Sequence, residues 1–435
     1  MRRMKKITLL LYNLLFVPIL LILLPGYLLR IWKRGGYWNK VEQRFGFIDT
    51  ETLRRIGTGR IWLHAVSVGE VGIALTFASE FKKRNPQTRF LLSTTTSTGL
   101  AIAEKKSSAW LEVIANPVDF PGITSMLVGR LRPSALLMIE ADFWPNRIAA
   151  CTKLGIPVAL LNARLSPRSE RRFRNLHSLT GPFFSQFHLI TLTEKEDIPR
   201  WISLGVEGKR LRWTGNIKHD KGESTRIRDF SPPAGINQNL GDLLFLAAST
   251  HEGEEEEIAR AFLSLRNEFP ALRLVIAPRH VERRGEIRRK LQNLRLSCSL
   301  RSDGATLQSD VLLLDTTGEL SHWYRLATTV FVGKSLPCSV NRGGQNMIEP
   351  LQAGRPVLIG PHTENFEPIA SHLCEAGAAI RVTDSANISE VLRTLLLDPN
   401  RRKTMTASAD KVLQPHQGAT QRNCELVGCL LGFRN

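Results

Sequence analysis

Apolar residues along this chain fall into short, nearly continuous runs. "RIWLHAV", "RFLLST", "ALLMIE", "IPVALLNA" and "HLITLT" recur through the first half, and "LLFLAAST", "LRLVIAP", "VLLLD", "TVFVG", "RPVLIG" and "AAIRVT" through the second. Runs this short, separated by helix-periodic stretches, read as parallel strands buried on both faces and joined in βαβ units. Between the two series lies a polar stretch rich in Pro, Gly and Asn, "HDKGESTRIRDFSPPAGINQNLGD", which predicts an interdomain linker. The pattern predicts an α/β protein of two doubly wound domains facing a cleft, with ligands outside the carboxyl ends of the strands. The expected division is 1–34 as an anchor with basic flanks, 35–220 as the first α/β domain, 221–242 as linker and 243–435 as the second domain with a carboxy-terminal helix.

The amino terminus breaks this pattern. "MRRMKK" precedes residues 7–29, "ITLLLYNLLFVPILLILLPGYLL", which hold no charged side chain, and "RIWKRGG" follows. That length suffices to cross a hydrocarbon core, although Pro18 and Pro25 would kink a helix. A cleavable signal would have a shorter apolar region and small residues at the cut site. The expectation is an N-terminal membrane-anchor helix, spanning or interfacial; basic residues on both flanks give no orientation by the positive-inside rule.

The 435 residues carry 59 Lys and Arg against 40 Asp and Glu, a net charge of +19, which points to an anionic partner: nucleic acid, anionic lipid or a phosphorylated substrate. No basic stretch interleaved with aromatics forms a nucleic-acid module, and an anchor argues against one, so nucleic acid is not expected. The six cysteines are scattered and the ten histidines form no H-E-x-x-H, so neither a disulfide framework nor a bound metal is expected. Reduced thiols and a basic surface suit the cytoplasmic face of a membrane with anionic lipid. No G-x-G-x-x-G or G-x-x-x-x-G-K-[ST] follows a strand, which argues against a dinucleotide cofactor or P-loop.

Chemistry collects where strands end. In the first half these positions are Glu70, Glu140 with Asp142, Asn162 with Arg164, and Lys218. Each alone could be a cap or a surface charge; Glu70 behind Ser67 could simply stabilise a helix start. The run Glu254–Glu257 reads as a solvated first turn matched to its helix dipole. Five arginines in "RLSPRSERRFR" form either a solvated face or a phosphate-gripping patch. In the second half, Arg279 in "APRH", the turn "DTTGEL" and the Gly pair of "NRGGQNMIEP" outline a nucleotide pocket.

Ten stretches occur in an order that resembles the Kdo (3-deoxy-D-manno-octulosonic acid) transferases: "HAVSVGEV", "IEADFWPN", "NARLS", "TGNIKHD", "ASTHEGEEE", "APRHVER", "DTTGEL", "FVGKS", "GGQNMIEP" and "GPHTENF". The resemblance implies a GT-B glycosyltransferase of two Rossmann-like domains and no cofactor beyond its donor substrate, CMP-Kdo. It also implies a lipid A precursor (lipid IVA) as acceptor and work at the cytoplasmic face of the inner membrane. By motif match Glu70 would be the base of an inverting displacement, and Glu140 and Lys218 would stabilise its transition state. Pro278, Arg279, Thr317, Gly318, Glu319, Asn346, Met347, Ile348 and Glu349 would bind CMP. Asp142, Thr317, Lys334 and Gln345 depart from the family pattern of Glu, Met, Gly and His at these places, which bears on fine specificity. Two competing readings are a GT-B transferase using a UDP-sugar on another lipid, and a catalytically silent lipid-binding protein.

Overall fold

The computed structural model describes residues 7–16, 18, 26, 40–140, 143–220, 243–304 and 309–433. They form two units, Met1–Gly222 with His416–Asn435, and Glu223–Pro415. The first unit carries a parallel sheet of β1 (Ile61–Ala65), β2 (Phe90–Thr94), β3 (Leu111–Ala115), β4 (Ala135–Ile139), β5 (Val158–Ala163), β6 (Leu189–Leu192) and β7 (Leu211–Trp213), ordered β3-β2-β1-β4-β5-β6-β7. Every residue of β1, β2, β4, β5 and β6 is buried, because helices cover both faces and leave no polar side to the strands. Two apolar clusters, one around Leu63, Phe77 and Phe90 and one around Trp62, Leu136 and Ile190, fill those faces.

The second unit carries a second seven-stranded parallel sheet of β8 (Leu243–Thr250), β9 (Leu272–Pro278), β10 (Cys298–Leu300), β11 (Val311–Leu313), β12 (Thr329–Val332), β13 (Val357–Ile359) and β14 (Ala379–Arg381), ordered β10-β11-β9-β8-β12-β13-β14, with β11 inserted between β9 and β10. In both sheets the chain starts in the middle, builds one side and then crosses back. The strand order therefore reverses beside β1 and β4 in one sheet and beside β8 and β12 in the other. Loops after such neighbouring strands diverge to opposite faces and leave a crevice between them.

Two expectations change, and a third falls largely outside the described residues. The helix Ala419–Leu430 belongs to the first unit, not the second: Ala419, Cys424 and Val427 lie in the same apolar cluster as Phe77 and Phe81. Glu254 and Glu255 are not a solvated turn but are buried, at 0% and 1% exposure. Of the expected anchor, residues 7–16 are helical, and most of 17–34 lies outside the described residues. Among the described residues no helix is long and apolar enough to cross a membrane. The helical part lies against the first unit, where the Asn146 side-chain amide donates to Asn13 Oδ1 at 2.7 Å, while Leu10 and Leu14 are exposed.

Candidate active site

The crevice in the first unit opens beside Glu70. Ser67 caps the helix Val68–Arg84, and Glu70, three residues on, reaches back over it. The Val66 N–H donates to Glu70 Oε2 at 2.7 Å and the Ser67 hydroxyl to Oε1 at 2.9 Å, while Glu70 N–H donates to Ser67 Oγ at 3.4 Å. This resembles a capping box, with the carboxylate reaching the N–H one residue before the cap instead of that of the cap itself. Glu70 supplies the negative charge that its own helix start favours. These donors fix the direction of its carboxylate.

Glu140 follows β4 directly and holds φ at 62°, a left-handed conformation that costs a non-glycine residue about 1–2 kcal/mol. Its Oε1 accepts from Lys218 Nζ at 2.6 Å, and the two side chains are 17% and 36% exposed. Lys218 also lies over the first turn of the Glu70 helix: a Cβ placed on Gly69 would stand 3.7 Å from Nζ. A cation above a helix start is unfavourable by itself, and Glu140 compensates it. The structure thus brings Glu70, Glu140 and Lys218 to one strand-end crevice. Asp142 lies outside the described residues. Arg171, Arg172 and Arg174 are exposed on the helix Pro167–Asn175.

A buried network under this edge carries residues that the motifs did not single out. The Trp144 indole N–H donates to His64 Nε2 at 2.8 Å. Trp can only donate, so His64 is the Nδ1–H tautomer and donates to Ser93 Oγ at 2.9 Å; Trp62 N–H donates to the same hydroxyl at 2.9 Å. Burial, and then the Arg147 charge, hold His64 well below the usual histidine range, so it is neutral. The Arg147 guanidinium lies 5.0 Å from the Trp62 ring centroid and 5.8 Å from that of Trp144, and it donates to Asn116 Oδ1 at 2.7 Å. The loop bearing Glu140 and the loop bearing Glu70 are thus fastened to one another through Trp144 and β1. The sequence signal was a histidine inside an apolar strand and "WPN" after a strand end.

The second unit's strand ends differ in sign. Around His251, which follows β8, stand His280, Lys334, Arg283 and Arg279; burial and then these four neighbours, in that order, push the His251 imidazole down to about 4. Arg279 is exposed, with its N–H on Thr250 O at 3.0 Å. The Gln345 amide lies 3.2 Å from His251 Nε2. Buried Glu254 holds the loop after β12: its carboxylate accepts backbone N–H groups of His251 at 2.8 Å, Lys334 at 2.7 Å, Ser335 at 2.8 Å and Leu336 at 3.0 Å. That approach requires glycine at 333, because a Cβ there would lie 2.6 Å from Ser249 O.

The remaining residues expected to bind the nucleotide lie at or after the ends of β9, β11 and β12. Pro278 is the buried end of β9. Thr317 and Gly318 are exposed, and Glu319 pairs with Arg301 at 3.0 Å. Asn346 Oδ1 accepts from Ile348 N–H at 3.0 Å and its amide donates to Glu349 Oε1 at 2.9 Å, which starts the helix Ile348–Gln352. Met347 and Ile348 are core residues at 0% and 1% exposure, so only their backbone is open to a ligand. Among the described residues no group of three or more His, Cys, Asp or Glu could hold a metal ion.

Residues 39–221 match the family described as 3-deoxy-D-manno-octulosonic-acid transferase (kdotransferase). A 3-deoxy-D-manno-octulosonic acid transferase of Bordetella pertussis is 32% identical over 432 residues, covering 94% of this chain and 97% of the relative. One from Haemophilus influenzae is 29% identical over 401 residues, covering 91% and 92%. Among solved structures, the UDP-GlcNAc 2-epimerase of Neisseria meningitidis superposes with a TM-score of 0.59 at 15% identity, over 85% of this chain and 99% of that one; it shares the fold of paired Rossmann-like α/β units and nothing more. With the motifs placed at the strand ends and a relative this similar over nearly its whole length, the chain belongs to the 3-deoxy-D-manno-octulosonic acid transferase family and is a glycosyltransferase enzyme.

Proposed function

We propose that the protein transfers Kdo from CMP-Kdo to a lipid A precursor, lipid IVA, by inverting displacement. A hydroxyl of the acceptor attacks the anomeric carbon; Glu70 takes its proton, the new C–O bond forms as the bond to phosphate breaks, and CMP leaves as an anion that needs no proton from the enzyme. Lys218 offsets negative charge at the reacting centre, and Glu140 holds Lys218 there. The observation that carries this reading is the convergence of Glu70 with the Glu140–Lys218 pair at 2.6 Å in one crevice. Pro278, Arg279, Thr317 to Glu319 and Asn346 to Glu349 bind the nucleotide, the cations near His251 favouring an anion. The exposed leucines of residues 7–16 and the net charge of +19 support attachment to anionic lipid at the cytoplasmic face of the inner membrane.

The test is incubation of the purified protein with CMP-Kdo and a tetraacylated lipid A precursor, followed by mass measurement. The expected result is an added Kdo mass, and the number of additions is read at the same time. Turnover with a UDP-sugar but not with CMP-Kdo would move the reading to the UDP-sugar alternative.

A further inference from the structure

Lys218 stands on a loop that has little of its own to hold it. From Thr214 to His219 every residue but Lys218 is buried, and the turn Ile217–His219 is too short to be rigid alone. What fixes it comes from the far end of the chain. The Asn423 side chain, in the helix Ala419–Leu430, is fully buried and accepts from the Thr191 hydroxyl at 2.6 Å. Its amide donates to Thr214 Oγ1 at 3.0 Å and to Ala419 O at 2.8 Å. Thr191 Oγ1 in turn accepts from Asn162 N–H at 2.9 Å. Asn162, at φ 56°, accepts from Ile217 N–H at 2.8 Å and donates to Asn216 Oδ1 at 3.1 Å, and that same oxygen accepts from Lys218 N–H at 3.0 Å.

A second tie runs in the opposite direction. Asp220, two residues past Lys218, accepts Gly418 N–H at 2.6 Å and Thr420 N–H at 2.7 Å, at the start of the same helix, where a carboxylate is favoured. Arg422 donates to Thr214 O at 2.6 Å and 2.9 Å. The loop is therefore held on both sides of Lys218 by one helix some 200 residues away in sequence.

We infer that the carboxy-terminal helix is part of the catalytic edge, with Asn423 and Asp220 as positioning residues that set Lys218 against Glu140. This rests on the reading that Lys218 acts in the transfer. An ordinary packing helix would have met the sheet with apolar side chains alone. Here a buried amide gives its acceptor to Thr191 in β6 and one donor to Thr214 after β7, with its other donor on Ala419 O of its own helix, and a displacement of about 1 Å at a reacting group can cost about a hundredfold in rate.

The test is a double-mutant cycle on transfer from CMP-Kdo to the tetraacylated precursor: the parent protein, Asn423→Leu, Lys218→Ala and both together. A second cycle with Asp220→Asn, which leaves the core unchanged, guards against an Asn423 variant that does not fold. The expected result is a fall in kcat of about tenfold or more for Asn423→Leu and a smaller one for Asp220→Asn, each with KM for CMP-Kdo within about twofold of the parent. In the Lys218→Ala background either change should have no further effect beyond about twofold. Losses that multiply with that of Lys218→Ala, or an unchanged kcat in both single variants, would overturn the inference while leaving the role of Lys218 intact. An unchanged kcat in Lys218→Ala would overturn the role of Lys218 and the inference with it.

Discussion

The two sheets both reverse their strand order at the centre, beside β1 and β4 in one and beside β8 and β12 in the other, and place opposite charge at that position. In the first unit the strand ends at the reversal of order carry two carboxylates and one lysine, and Glu140 engages that lysine at 2.6 Å. In the second unit the equivalent place carries Lys334, with Arg279, Arg283 and His280 close to a neutral His251, while the carboxylate Glu254 is turned inward onto backbone N–H groups. A fold supplies the crevice, and the residues after each strand decide what it does. Carboxylates at one edge suit proton removal; cations at the other suit an anionic leaving group.

Backbone strain follows the same division. Glu140 and Asn162 in one unit, and Ser249 and Lys334 in the other, hold positive φ at strand ends without being glycine. Each such residue costs about 1–2 kcal/mol, and strain of this kind concentrates where function needs a fixed direction. Lys334 stands where the resembled family has glycine, so this chain accepts strain to carry one more cation beside His251.

Apart from position 70, the largest effect should come from the first unit. Lys218→Ala is expected to lower kcat about 10²–10³-fold, as for loss of one preorganised charge donor, with CMP affinity measured by calorimetry nearly unchanged. Arg279→Ala should do the reverse: a loss of about 1.5–3 kcal/mol in CMP binding, the worth of a hydrogen bond to a charged group, with kcat at saturating donor close to that of the parent. If both variants moved kcat alone, the division of labour between the edges would fail.

Smaller effects sharpen the contrast. Lys334→Gly should relieve strain and stabilise the protein by about 1 kcal/mol in urea unfolding, while CMP binding weakens; a loss of stability would mean that the left-handed backbone at Lys334 carries no strain. The smallest effect concerns pH. His251 has its pKa lowered from 6.5 to about 4 in the folded state, so between those values the unfolded chain binds more protons, and stability present above pH 6.5 is lost on acidification. His251→Gln should therefore flatten the dependence of Tm on pH across that window, with the difference kept small by solvent screening. His219 in the first unit, lowered to about 3 by burial and then by His416, Arg164 and Lys218, would keep part of the slope.

Much of this was legible in the sequence, for reasons that particular residues make plain. Strands such as "IWLHA" and "ALLMI" declare themselves because a strand buried on both faces has no polar alternation to confuse with a helix. Glu70 and Glu140 are legible because each comes after such a run, whereas Lys218 follows the short, mostly exposed β7 and is legible from its motif "TGNIKHD". The unit to which the carboxy-terminal helix belongs is not legible, because local pattern carries no information about which sheet a distant helix covers; a clue is Asn423, a polar residue on the helix's buried face. Glu254 and Glu255 read as solvent-facing because acidic residues at a helix start usually are. What buries them is tertiary: four backbone donors on Glu254 and, on Glu255, the Arg283 guanidinium at 2.8 Å. Met347 and Ile348 sit inside a binding motif, yet their side chains serve the core.

The measurement closest to the central claim is turnover by Glu70→Gln at saturating CMP-Kdo and tetraacylated lipid A precursor, with CMP affinity measured on the same preparation. The amide keeps an acceptor for Val66 N–H or the Ser67 hydroxyl but cannot take a proton, so the expected result is a loss of about 10²–10⁴-fold in kcat with CMP affinity within about twofold. Turnover near that of the parent, with CMP affinity intact, would contradict a proton-accepting role for Glu70.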